Sequence, residues 1–269
     1  MKKINVLVLL LICILSLTTL VGCKDENTLV VGATSAPHAE ILEFAKPLFE
    51  AKGYKLQIEV FEDYTLLNPA LESDDLDVNY FQHTPYLDSF NAKRKTNLVS
   101  VAKIHYEPFG LYGKGISDFN NLILGTTIFV PNDDSNLTRA LLLLKQEGLI
   151  ELDPNKNTTT GIDVNDITNT KGFNIQPVAA DLVPAQYKNS DNVLAVINGN
   201  YAIASNISIS TALAIENADG DAASTYANIL AVKSGNENNE KVLALIEVLS
   251  SQTVKDYITS TYNGAVLPM

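Results

Sequence analysis

Apolar residues along this chain follow two alternating rhythms. Short, nearly unbroken runs such as TLVVGATS (28–35), KLQIEVFE (55–62), LDVNYF (76–81), GTTIFVPN (125–132), FNIQPVAA (173–180), NVLAVING (192–199) and YANILAVK (226–233) have the length and β-branched content of strands. Between them, apolar positions recur at helical spacing. Ile41, Leu42, Ala45, Leu48 and Phe49 form one stripe that Gly53 ends, and Pro47 is expected to bend or restart that helix. TPYLDSFNAKRK (84–95) reads as a helix with Pro85 in its first turn, and SNLTRALLLLKQEGLI (135–150) as one ended by Gly148. LVSVAKIHYEPFGLYG (98–113) reads as extended, and two helices close the chain at 241–249 and 254–262. Strands alternating with helices predict an α/β architecture with mostly parallel sheets. The polar loops between elements are too short for a flexible interdomain linker, so two domains would be joined by strand-like crossovers.

The N-terminus departs from this pattern. Lys2 and Lys3 precede an apolar run from Val6 to Leu20, and LVGC ends at Cys23. A basic start, a short apolar stretch and small residues before a cut describe an export signal over 1–22, too short for a membrane span. Cysteine directly after the cut resembles a bacterial lipobox, which implies lipidation at Cys23, a tether over 23–26 and a body held at the extracytoplasmic side of the cell membrane. The other cysteine, Cys13, falls in the removed segment, so the mature body has no thiol for a disulfide, a metal or a nucleophile. The formal net charge of −12 argues against nucleic acid and anionic lipid as partners.

Candidate chemistry gathers at strand ends. Thr34 and Ser35, Gln82 and His83, Asn132, and Asn198 each follow a predicted strand. In open α/β sheets that is where ligands bind, so these four places predict one shared cleft. Arg139 is one of only two arginines and sits early in a helix capped by Ser135 or Asn136. A guanidinium beside a helix N-terminus suits a carboxylate ligand, and it equally suits a salt bridge to Asp133, Asp134 or another acid. The stretch NYFQHTPYLDSF (79–90) is rich in rings. Phe81 and Tyr86, with His83 between them and Tyr64 from FEDYTLLNP, would make an apolar slot for an unbranched or sulfur-bearing side chain, with Tyr80 and Phe90 left to the core.

Five segments, VGATSAPHAEILE, DVNYFQHTPYL, VPNDDSNLTRALLLLKQEGLIELD, AVINGNYAIA and YANILAV, resemble in order the NlpA/MetQ family of methionine-binding lipoproteins. The resemblance implies a two-lobed type II periplasmic-binding-protein fold with a ligand cleft between the lobes. It also implies a monomer that hands its ligand to the permease of an ABC importer, with no cofactor. Mapped here, lobe 1 takes 27–114 with 226–269, and lobe 2 takes 115–225. Arg139 would bind a ligand carboxylate with support from Asn136, Asn198 and Asn228 would orient the polar end, and Tyr64, Phe81, His83 and Tyr86 would surround the side chain. The ligand implied is L-methionine, with the dipeptide Gly-Met or another small amino acid as the alternative. TSAPH replaces a glycine-containing form common before the histidine, and ASNISISTAL is unusual after NGNYAI.

The rival classes are an enzyme, a metal-binding receptor and a surface adhesin with no small ligand, the last of which leaves Arg139 and the strand-end asparagines unexplained. An enzyme would need a nucleophile or phosphate motif, and the chain has no GxSxG, HExxH or Walker-type run. A metal receptor would use His38, His83 and His105, the chain's three histidines, with one carboxylate.

Overall fold

The computed structural model describes residues 26–156, 161–169, 171–217 and 221–269. The expected signal segment and Cys23 lie outside the described residues. Among those described, no helix is long and apolar enough to cross a membrane.

Two sheets organise the chain. The first runs β13-β4-β12-β3-β1-β2 and the second β11-β5-β10-β6-β9. In the first, β1 (Thr28–Ala33) pairs in parallel with β2 (Lys55–Val60) and β3 (Val78–His83), while β12 (Asn228–Lys233) runs antiparallel between β3 and β4 (Leu98–Tyr106). The last strand, β13 (Leu267–Pro268), seals the edge of β4. In the second, β6 (Thr127–Pro131) pairs in parallel with β9 (Asn174–Val178) and β10 (Val193–Ile197). There β5 (Gly110–Lys114) is antiparallel to both β10 and β11 (Ala214–Ile215). Both sheets are therefore mixed, where the alternation predicted mostly parallel pairing. In the first sheet the returning chain supplies the antiparallel strands β12 and β13, from the far end of the sequence; in the second the antiparallel strand is β5, the first after the chain crosses over.

The extended run 98–113 resolves into β4 in one sheet and β5 in the other. Residues 107–109 thus carry the chain across, and it is back in the first sheet at β12. The sequence reading grouped 110–114 with the first lobe, whereas those residues pair within the second sheet.

Helices cover the sheets because their apolar stripes match. Helix α1 (Glu40–Glu50) buries Ile41, Leu42, Ala45 and Phe49 against the first sheet. It does not restart at Pro47 but continues to Glu50, and Leu48 is 37% exposed rather than part of the stripe. The missing N–H of Pro47 falls on the solvent face, where water can satisfy the freed carbonyl. Helix α2 (Tyr64–Glu72), absent from the sequence reading, is started by Asp63, whose carboxylate accepts from Thr65 N at 2.8 Å. Helix α3 (Thr84–Arg94) follows β3 directly, with Leu87 buried and Phe90 half-buried. Helix α4 (Asp134–Gln146) packs Leu137, Ala140, Leu141 and Leu144 into the core of the second sheet with Ile128, Leu194 and Val196. Further on are α5 (Val183–Asn189), the short α6 (Gly199–Ala204), α7 (Asp221–Thr225), and the closing pair α8 (Glu240–Leu249) and α9 (Gln252–Tyr262).

Candidate functional site

The carboxyl ends of β3 and β10, the start of β12, the first crossover and the first turns of α2, α3 and α4 converge on one cavity. It encloses about 320 Å³, counting the part open to solvent. The eight ligand-binding candidates line it, namely Tyr64, Phe81, His83, Tyr86, Asn136, Arg139, Asn198 and Asn228; of the other strand-end residues Gln82 does too, whereas Thr34, Ser35 and Asn132 are not in its lining. Gln82, Glu107, Phe109, Gly199 and Asn200 complete the lining.

The aromatic wall comes from three elements. Tyr64 stands 5.5 Å from Phe81 and 5.9 Å from Tyr86, centroid to centroid, and 4.6 Å from Tyr201 behind it. The Tyr64 hydroxyl donates to Asn200 Oδ1, which joins an element of the first sheet to one of the second. A second joint is His83 Nε2 to Asn136 Oδ1 at 3.1 Å. Burial first, and the Arg139 charge second, lower the His83 pKa to about 3, so the imidazole is neutral at pH 7 and forms part of an uncharged wall.

Arg139 is buried and boxed by rings. Its guanidinium carbon lies 3.9 Å from the Phe109 centroid and 4.6 Å from that of Tyr226. Its anion is Glu216, on the return crossover: Nε donates to the two carboxylate oxygens at 2.8 and 3.0 Å, and Nη2 to Oε2 at 2.6 Å. Nη2 also donates to Glu107 O at 2.7 Å. The salt-bridge partner is therefore neither Asp133 nor Asp134. Burial disfavours both charges, yet each holds the other: Arg139 is held above its ordinary value and Glu216 below the usual carboxylate range. The helix cap also differs from the sequence reading. Asp133 caps α4, with Oδ1 accepting from Asn136 N at 3.0 Å, and so claims an N–H that an anion would otherwise meet.

The three histidines do not converge. His38 and His105 stand together, ring centroids 4.9 Å apart, and Glu107 rather than His83 is the third group beside them. Each ring nitrogen of this pair has a hydrogen-bond partner. Thr34 Oγ1 donates to His38 Nδ1 at 2.7 Å, and His38 Nε2 donates to Asn228 Oδ1 at 3.0 Å. Tyr80 OH donates to His105 Nδ1, and His105 Nε2 donates to Glu107 Oε1 at 2.6 Å. The pair orients an amide and a carboxylate of the cavity wall. Thr34, read from its strand end, acts at one remove through His38.

Gln82 is fixed by a closed amide cluster, accepting from Asn68 Nδ2 at 2.8 Å and donating to Asn68 Oδ1 and Asn79 Oδ1 at 2.7 and 2.9 Å. Sequence reasoning missed Glu107, Phe109 and Glu216. The signal available was weak: a lone acidic residue inside the extended run IHYEPFG, and another within a loop read as exposed.

A model of the NlpA lipoprotein family matches residues 29–269. The chain belongs to the NlpA lipoprotein family. It is 40% identical to the methionine-binding lipoprotein MetQ of Bacillus subtilis over 91% of this chain and 89% of that protein. Among solved structures, lipoprotein Tp32 of Treponema pallidum is 37% identical with a TM-score of 0.83, over 90% of this chain and 99% of that one. A nutrient-binding protein from Burkholderia cenocepacia, bound to methionine, is 34% identical with a TM-score of 0.84, over 89% and 99%. At this likeness the NlpA chain shares their two-lobed periplasmic-binding fold, with the cavity between its two sheets.

Proposed function

We propose that this chain is the ligand receptor of an ABC importer, anchored by lipid at Cys23 outside the cytoplasmic membrane, and that it closes over L-methionine. The observation carrying this reading is one cavity holding both kinds of group that ligand needs. Arg139 and Asn136 supply the charged and polar part of the lining for the α-carboxylate, with Asn198 and Asn228 at the polar end. In the same lining, Tyr64, Phe81 and Tyr86 with the neutral His83 give an apolar slot whose ring edges suit a thioether. The names borne by the Bacillus relative and the Burkholderia structure support methionine as the ligand. In this reading the chain is a receptor rather than an enzyme, works as a monomer and delivers its ligand to a permease. Its lobes exchange at 107–109 and ahead of β12, so closure moves two sheets about those crossovers.

The deciding experiment is thermal unfolding of residues 24–269, denatured and refolded to strip bound ligand, with and without L-methionine. At 100 times its dissociation constant a ligand stabilises by about 2.7 kcal/mol, a shift of a few degrees. A rise with L-methionine that alanine and leucine do not give supports the reading. No rise with L-methionine but a rise with Gly-Met moves the assignment to the dipeptide. No rise with either removes it.

A further inference from the structure

Helix α6 follows β10 of the second sheet, yet two of its side chains reach into the first lobe. Tyr201 is 6% exposed, and its ring lies 4.6 Å from that of Tyr64, tilted by 33°. Its hydroxyl donates to Glu62 O at 2.9 Å, just ahead of α2. Ile203, one turn-face further on, packs against the core of the first sheet. Tyr201 also belongs to an apolar cluster that runs from Tyr64 and Leu67 to Val183 and Ala195, so one hydrophobic core crosses from lobe to lobe. None of Tyr201, Ile203 and Glu62 is in the lining of the cavity.

A second contact between the lobes is of another kind. Lys93 Nζ on α3 meets Asp134 Oδ2 on α4 at 2.7 Å, with both side chains 60% exposed. A solvated ion pair contributes little, because water and salt screen it and two long side chains must be ordered to make it. A buried ring gains by the area it removes from water and by its stacking on Tyr64, and its hydroxyl adds a hydrogen bond. Of the two contacts, Tyr201 therefore carries the larger share of closure.

Resting on the receptor reading above, we infer that Tyr201 is a latch for lobe closure, which sets the affinity of the site without touching the ligand. Tyr201 and Tyr64 stand on different lobes, so closing removes both rings from water whatever the cavity holds. That part of the closing free energy is the same for every ligand and enters the affinity of each by the same factor. Tyr201 is thus a positioning residue: the lining decides which ligand is held, and the latch decides how tightly.

The test is calorimetry on residues 24–269 with L-methionine and L-norleucine, on wild type, Tyr201→Phe and Lys93→Ala. Phenylalanine keeps the ring and the core volume and removes only the hydroxyl, so the fold is kept. Tyr201→Phe is expected to weaken both ligands by one common factor of about three to ten, and Lys93→Ala to cost less than about twofold. Unchanged affinity in Tyr201→Phe overturns the inference, and a fall in melting temperature alone would make the contact merely structural. Losses that differ more than threefold between the two ligands also overturn it, since Tyr201 would then act on recognition. So does a larger loss in Lys93→Ala than in Tyr201→Phe. Wild type binding neither ligand removes the receptor reading itself, an outcome distinct from all of these.

Discussion

Arg139 on α4 and Glu216 on the return crossover meet as a planar fork on a carboxylate, with bonds of 2.6 to 3.0 Å. The same Glu216 Oε2 accepts from Tyr106 OH at 2.6 Å and from Phe109 N at 3.2 Å. One carboxylate thus ties both crossovers to the helix that carries the cavity's cation. Glu216→Gln keeps the shape and removes the charge, leaving a buried guanidinium uncompensated. Breaking a buried pair in this way costs about 3–5 kcal/mol. Urea unfolding of the ligand-free variant should show a loss of that size; a loss below about 1 kcal/mol would mean that Glu107, not Glu216, balances Arg139.

Arg139→Lys separates charge from geometry. Lysine keeps the positive charge but presents a single point donor in place of the fork. Affinity for L-methionine should fall at least tenfold, or about 1.4 kcal/mol, and the melting point of the free protein should fall as well, because the same fork holds Glu216. Equal affinity in calorimetry would take the guanidinium fork out of ligand recognition.

Phe81 sits between Tyr64 and Tyr86, at 5.5 and 5.7 Å. Phe81→Leu retains an apolar side chain in a position that is 2% exposed, so the fold is kept while ring contacts are lost. Methionine affinity should drop about tenfold, and the weak affinity for alanine should not move. A parallel loss for both amino acids would show that Phe81 acts on the whole site instead of on the side-chain slot.

The fold was legible in the chain because most of its elements obey simple periods. The runs at 28–35, 125–132 and 192–199 became central strands with every position from Val193 to Ile197 buried. What escaped was non-local. Helix α2 is short and contains Pro69, so its helical signal was faint. The antiparallel placement of β12 and β13 depends on pairing with strands more than a hundred residues away, which no local pattern encodes. The cavity followed the same division. Polar residues at strand ends announced it, since a strand's end points into the cleft whatever its neighbours are. Glu107 and Glu216 became visible only with the crossovers that bring them to Arg139. The three histidines divided for a related reason: composition counts them, but the turn that carries His38 sets it against His105 of β4 and Glu107, while His83 at the end of β3 faces Asn136.

Cys23→Ser tests the anchor independently of the site. If lipid at Cys23 is the tether, the variant should no longer take up labelled palmitate in the producing bacterium and should leave the membrane fraction. Methionine binding by the released protein should match that of residues 24–269. Retention of the label would place the lipid elsewhere.

The three buried histidines give the protein a defined response to acid. His38, His83 and His105 have folded-state pKa values near 4, 3 and 3, against 6.5 unfolded, all lowered chiefly by burial. Below pH 6.5 the unfolded chain binds protons that the folded one refuses, so stability rises with pH across that window and is lost on acidification. Each histidine contributes on the order of 1 kcal/mol per pH unit between pH 6.5 and about 4. Glu216, held low by Arg139, adds to the loss once the pH enters the carboxylate range. Glu107, pushed up by burial, works the other way: its protonated form suits the folded state, which blunts the loss at the acid end. Three histidines against two carboxyls that burial raises, Glu107 and Asp133, leave a net fall of several kcal/mol from pH 7 to pH 5. Urea unfolding of the ligand-free protein at pH 7, 6 and 5 measures it directly. The slope should shrink by about a third in His83→Gln, which can still hydrogen-bond Asn136; equal stability at pH 7 and pH 5 would mean that the imidazoles accept protons in the folded protein, and the neutral wall assigned to His83 would fall with that result.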